Sequence, residues 1–256
     1  MTSPPDGHTA YVLMMLLGLV AGFINALAAG GSALTLPALV LLGVRPRVAN
    51  GTNRIALILS GVTRLCVFQH AGVVDWRQGF RLVLPTAAGA LIGASLALRL
   101  PLGSGAWPIV VSALIEFALV VTGFSKMVDK SVRTDAHVQW GHLPAFALIG
   151  AWGGFIAAGS ATFFLWALVV LVGYGLARGN ALKALLMLTM SVVSLTDFAA
   201  HGDVDYLAGA LVSSGSILGS WAGARFVLDE RSKIWVWRVL VCVAPVEIIL
   251  LVVKYA

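Results

Sequence analysis

Two serines stand directly after breaks in long apolar runs: Ser32, following Ala29-Gly30-Gly31, and Ser160, following Gly159. A hydroxyl where a returning helix begins can cap its N-terminus, and the free N–H groups and positive helix end there suit an anion. Downstream of each break a polar cluster with a cation opens the next apolar run. The first is Asn50-Gly51-Thr52-Asn53-Arg54; the second is Gly179-Asn180-Ala181-Leu182-Lys183. Thr35 and Thr162 follow the serines within the returning segments. The expected substrate neighbours are therefore Ser32, Thr35, Asn50, Thr52, Asn53, Arg54, Ser160, Thr162, Asn180 and Lys183. Arg54 and Lys183 would balance an anion's charge from opposite sides of the membrane, the Arg being better suited to bidentate oxyanion recognition. The plainer readings are close packing and turning at the Gly and Ser residues, and snorkelling of the two cations at helix ends.

Three further ionisable groups fall inside apolar runs: Arg64, Glu116 and Glu247. An ionised carboxylate facing lipid is costly, so each Glu should face protein, bind a proton or pair with a base such as Arg64. Proton coupling and a buried structural pair are both consistent with that placement. Asp197 and His201 read as a solvated rim at a helix end. Trp107, Trp140, Trp235 and Trp237 fall where indoles anchor helices at the interface. No P-loop, no His/Cys cluster at metal spacing and no serine-nucleophile motif is present, so neither an enzyme nor a bound cofactor is expected. Cys66 and Cys242, both in apolar runs, read as small core residues.

The elements that must hold these groups follow from composition. Hydrophobic residues make up 59% of the chain and charged residues 11%, against roughly 45–50% and 25% in a soluble domain. Charges cluster between long apolar runs, as a bilayer imposes on spanning helices. The net charge of +6 is scattered over those loops, which argues against nucleic acid. The first ten residues lack Lys and Arg, so the first apolar run reads as retained structure rather than a cleaved signal.

Apolar runs fall at 9–28, 33–43, 47–71, 79–100, 106–127, 142–158, 161–173, 178–200, 204–226 and 234–254. Spanning the hydrocarbon needs about 20 residues, which 33–43 and 161–173 do not supply. Each follows a small-residue break, so each reads as the short leg of a hairpin. If both hairpins return to their own side, the cytoplasmic face holds Arg77, Arg81, Lys126, Lys130, Arg133, Arg178, Lys183, Arg225, Arg231, Lys233 and Arg238. The outer face then holds Arg45, Arg47, Arg54, Arg99 and Lys254. If each broken stretch crosses once, the excess reverses. The positive-inside rule selects hairpins, with both termini outside.

The two halves also match in order. Gly18, Gly22, Phe23 and Ile24 fall on Gly150, Gly154, Phe155 and Ile156; Ser32-Ala33 falls on Ser160-Ala161. Gly72, Val74, Asp75 and Gly79 fall on Gly202, Val204, Asp205 and Gly209. Gly89, Gly93, Arg99 and Glu116 fall on Gly215, Gly219, Arg225 and Glu247. The expected fold is an all-α polytopic membrane protein of two inverted repeats, each a broken-helix hairpin plus three transmembrane helices. The first repeat occupies 1–128 with its hairpin at 9–43, a cytoplasmic linker occupies 129–141, and the second repeat occupies 142–256 with its hairpin at 142–173. Three crossings per half invert the second repeat, a plan that places a transport site between the halves near the midplane.

The stretch GLVAGFINALAAGGSALTLPALVLLGVRPRVANGTNR resembles the N-terminal signature of the sulfite exporter TauE/SafE family. The shared features are the break at Gly30-Gly31, Pro37 ending an apolar stretch, and Gly43 with Pro46, Ala49 and Thr52. The likeness extends more loosely through the repeat beginning near Gly150, where Gly159-Ser160 stands without a glycine pair. The resemblance implies export of sulfite, or of a small organosulfonate such as sulfoacetate, across a bacterial inner membrane. Transport of another small inorganic or carboxylate anion, or a non-transporting scaffold or assembly role, would use the same architecture. The partners expected are a small anionic substrate, the lipid bilayer and further copies of the chain in a homo-oligomer.

Overall fold

The computed structural model describes residues 7–27, 31–99, 136–229 and 238. Its regular structure there is entirely helical. The first half contributes α1 (Gly7–Leu27), α2 (Gly31–Leu41), α3 (Pro46–His70) and α4 (Trp76–Arg99). The second contributes α5 (Leu143–Phe155), α6 (Ser160–Trp166), α7 (Leu176–Ala200) and α8 (Tyr206–Val227). The runs at 106–127 and, apart from residue 238, 234–254, the third crossing of each expected half, lie outside the described residues, as do Glu116 and Glu247.

Local chemistry sets matching boundaries. α3 opens on Pro46, whose missing N–H would be unbonded in a first turn anyway. It ends before Gly72, and α7 ends before Gly202; both glycines take the left-handed conformation, with φ of 69° and 72°. Asp75 and Asp205 then start α4 and α8 by accepting the backbone N–H of Gln78 at 3.2 Å and of Ala208 at 3.0 Å.

Four described helices combine the length and apolarity of a membrane span: α1, α4, α7 and α8. α3 has 25 residues, about 38 Å at 1.5 Å per residue, but carries Arg47, Arg54 and Arg64. The last two are fully buried, so α3 turns its charge inward and its apolar side outward. Large apolar side chains face out around the bundle, Leu84 and Leu148 at 77% and 72% exposure. Lipid is the solvent that accepts such a surface. Cys66 belongs to it: the thiol is exposed rather than packed in the core, because position 66 falls on the outward side of α3.

Glycines let backbones meet across the halves. On α1, Gly18 lies against Val212 and Gly22 against Ser216 of α8. On α5, Gly150 lies against Thr86 and Gly154 against Ala90 of α4. In both pairs the positions ascend together, so α1 runs parallel to α8 and α5 parallel to α4. α3 runs parallel to α8, with Thr52 bonded to the Asp205 N–H and Ile55 against Gly209. α3 and α7 instead pair in descending order, Gly51 against Phe198 and Gly61 against Leu188. They are antiparallel.

The second hairpin differs in detail from the expected 142–158 and 161–173. A 3-10 turn at Trp140–His142 precedes α5, the chain is extended at Ile156, and Gly159 turns it with φ 72°. α6 then passes into π-helical turns at Ala167–Val172 and stops at left-handed Gly173. α2 carries Pro37 within its length instead.

Candidate functional site

Breaking a helix inside a membrane frees backbone carbonyls that water cannot reach, and each needs a donor. The α5–α6 break takes most of its donors from the first half. Arg54 of α3 donates to the Gly153 carbonyl at 2.6 Å and to that of Gly154 at 3.1 Å. Asn50, one turn earlier, donates to the Phe155 carbonyl at 2.9 Å and accepts from the Ala157 N–H at 3.3 Å. Its side-chain oxygen also holds the Arg54 guanidinium at 3.1 Å. The end of α1 takes its donors partly from the second half. Lys183 of α7 donates to the Asn25 carbonyl at 3.0 Å, and Asn180 reaches the Leu27 carbonyl at 3.5 Å. Arg64 adds a bond to the Asn25 carbonyl at 3.1 Å.

Cations at carbonyl ends of helices are favourably placed for the helix dipole. Arg54 and Arg64 are nonetheless fully buried, and their bonded partners among the described residues are all neutral. Arg54 also lies 5.7 Å from the Phe198 ring centroid. Arg64 and Lys183 meet at one carbonyl oxygen, so two buried cations sit close together. Neutral dipoles only partly offset the desolvation of such charges. The polar centre is electropositive and suits an anion.

All ten expected substrate neighbours are buried. Snorkelling therefore does not describe Arg54 or Lys183, both at 0% exposure. The serines act differently from the expected caps. Ser32 and Ser160 both donate to the Ala157 carbonyl, at 3.0 Å and 2.6 Å. The cap position of α6 is Gly159, with no side-chain cap bond. Thr52 accepts from Asp205 N–H at 2.9 Å, away from the breaks, and so joins α3 to the start of α8. Asp197 is more than rim: half-buried, it accepts from Ser95 at 3.0 Å while His201 stays exposed.

A small cavity opens between α1, α2, α3 and α8, lined by Asn25, Ser32, Thr35, Asn53, Ser60 and Ser216 among others. Its volume is about 10 Å³, close to the least that holds one water. Thr35 donates to the Asn53 side-chain oxygen at 2.7 Å. The Asn53 amide nitrogen and the Asn25 side-chain oxygen have no partner. Asn25 is the functional candidate that the residue pattern did not supply. Its signal was there: it is the sole amide side chain in the run 9–28, one turn before the glycine break.

Apolar spans around a buried, electropositive centre define a polytopic membrane protein of the transporter class. The chain belongs to the sulfite exporter TauE/SafE family, whose model matches residues 14–246. It is similar to a Sinorhizobium protein named probable membrane transporter protein ORF9, 30% identical over 217 residues, covering 84% of this chain and 82% of that one. The probable membrane transporter protein YfcA of Escherichia coli K12 is 27% identical over 228 residues, covering 87% and 82%. A probable membrane transporter protein of Haemophilus influenzae is 24% identical over 229 residues, covering 88% of each chain. No solved structure matches the chain significantly.

Proposed function

We propose that this chain is a secondary transporter that exports a small sulfur-containing anion, sulfite or an organosulfonate such as sulfoacetate, across the bacterial inner membrane. The observation that carries the reading is that Arg54, at the α5–α6 break, and Arg64, near the last described turn of α1, are fully buried and held by neutral groups alone among the described residues. A bound anion would offset part of that buried positive charge, and family membership supports a sulfur oxyanion. Ser32, Thr35, Asn50, Asn53, Ser160, Thr162, Asn180 and Lys183 surround that centre in the proposed site.

Inverted repeats supply the means of alternating access. The reading is supported by the antiparallel run of α3 and α7, the sequence-matched helices that follow each hairpin. It is supported too by the exchange of contacts, α1 on α8 and α5 on α4 through matched glycines. Each half holds the other's break with an Asn and a cation. Rocking one half on the other would reshape both breaks together and expose the centre to alternate sides. In this reading both termini lie outside.

Flux into and out of proteoliposomes tests the function. Sulfite should move, and sulfoacetate, sulfate and acetate added as competitors should rank the chemistry of the site. Faster movement of a carboxylate than of sulfite would favour a different small anion on the same architecture. Folded, inserted protein that moves no anion would sink the transport reading.

A further inference from the structure

The cavity beside the first break carries a more specific ligand chemistry than an electropositive centre alone. Asn25 and Asn53 are 3% and 1% exposed and both line it. Asn53 has its oxygen occupied by Thr35 and its amide nitrogen free, so it offers a donor. Asn25 has a free side-chain oxygen, so it offers an acceptor. A buried acceptor left unpaired costs about 1–3 kcal/mol, and a ligand lacking a proton to give would leave it unpaired. A fully deprotonated oxyanion would also bring its lone pairs against that oxygen.

We infer that this cavity, when widened from its present one-water size, binds a small oxyanion in its monoprotonated form, with the ligand O–H donating to Asn25 and a ligand oxygen accepting from Asn53. The inference rests on the transport reading and names the ionic form that the site selects. Hydrogen sulfite has this chemistry; sulfate near neutral pH has no proton to donate, and an alkyl sulfonate has none at any working pH. The charged groups facing Asn25 come from two elements only among the described residues: Arg64 on α3 and Lys183 on α7, both bonded to its carbonyl. α2 and α8 contribute Gly31, Ser32, Thr35, Val212 and Ser216 to the cavity, none of them charged. The fixed cations supply the attraction for a single negative charge, while Asn25 reads the proton.

The test is binding of sulfite, sulfate and methanesulfonate to the full chain in lipid nanodiscs, by titration calorimetry across the pH range in which hydrogen sulfite loses its proton. Sulfite affinity, expressed on total sulfite, should fall about tenfold per pH unit once the second ionisation is passed. Sulfate and methanesulfonate should bind at least about tenfold more weakly than sulfite below it. Asn25→Ala should keep the thermal unfolding midpoint near wild type yet bind sulfite and methanesulfonate alike, with Asn25→Ser restoring part of the preference. If Asn25→Ala fails to fold, Asn25→Ser carries the same comparison. Sulfite binding that ignores its ionisation, or an unchanged preference in the Asn25 variants, would mean the cavity holds a water only. Those results, with anion flux still measurable, would overturn this inference and leave transport standing; loss of all flux would strike transport itself.

Discussion

Arg54 ties α3 to the carbonyls of Gly153 and Gly154 through two charge-assisted hydrogen bonds. Replacing it by Gln should cost about 1.5–3 kcal/mol of stability, the range for bonds to a charged group, and should weaken anion binding further by removing positive charge. Arg54→Lys should recover part of the binding, having the charge without the planar fork. Arg99 is exposed, so Arg99→Gln should change stability by less than about 0.5 kcal/mol. Thermal unfolding in detergent and a sulfite titration on the three variants check this; equal, negligible losses for Arg54 and Arg99 would remove Arg54 from the site. At this scale the sequence marked polar residues inside apolar runs, and the ten named ones are buried, although the charge count places Arg54 and Lys183 at the membrane faces. It was a poor guide to who bonds whom. Ser32 and Ser160 turned out as donors to one carbonyl, and Asn25 escaped notice, because the outcome depends on which carbonyls the unwound backbone presents. That is settled by the fold of residues 153–159, not by side-chain spacing.

Helix contacts were partly legible because the matched glycines have a steric reason to recur. A β-carbon at Gly22 would overlap the Ser216 carbonyl, and one at Gly154 would overlap that of Ala90. Gly22→Val and Gly154→Val should each destabilise the bundle by about 3 kcal/mol, at the upper end of overpacking costs. Gly141→Ala, with nothing within 4 Å of the added carbon, should be neutral. Comparable unfolding midpoints for all three would contradict the close α1–α8 and α4–α5 contacts. Helix starts at Pro46 and after Asp75 and Asp205 could be read locally, as could the stops at Gly72 and Gly202. The π-helical turns at 167–172 could not. Their apolar residues are equally suited to an α-helix, and the π-helical turns end at left-handed Gly173.

For the whole molecule, composition was enough to read the apolar class, while the hairpins were an expectation from length against bilayer thickness. The direction of each half rested on a charge count, a weaker signal, because Arg54 and Lys183 entered that count as loop residues and proved to be buried. The proposed inverted arrangement makes a labelling prediction in a background lacking Cys66 and Cys242. Arg45→Cys, in the turn after α2, should react with an impermeant maleimide on intact cells from outside. Gly141→Cys, before α5, should react only after the membrane is opened. Reaction of both from one side would rule out the inverted arrangement.

The central claim places a small oxyanion in the buried polar centre around α3, and selenite, an anomalously scattering analogue of sulfite, locates it most directly. A structure determined with selenite should show one anomalous peak within hydrogen-bond reach of the polar groups beside the breaks, Asn25 and Asn53 foremost, and the peak should vanish with excess sulfite. An ordered structure with selenite confined to the surface, or with no displaceable peak near the breaks, would contradict the account.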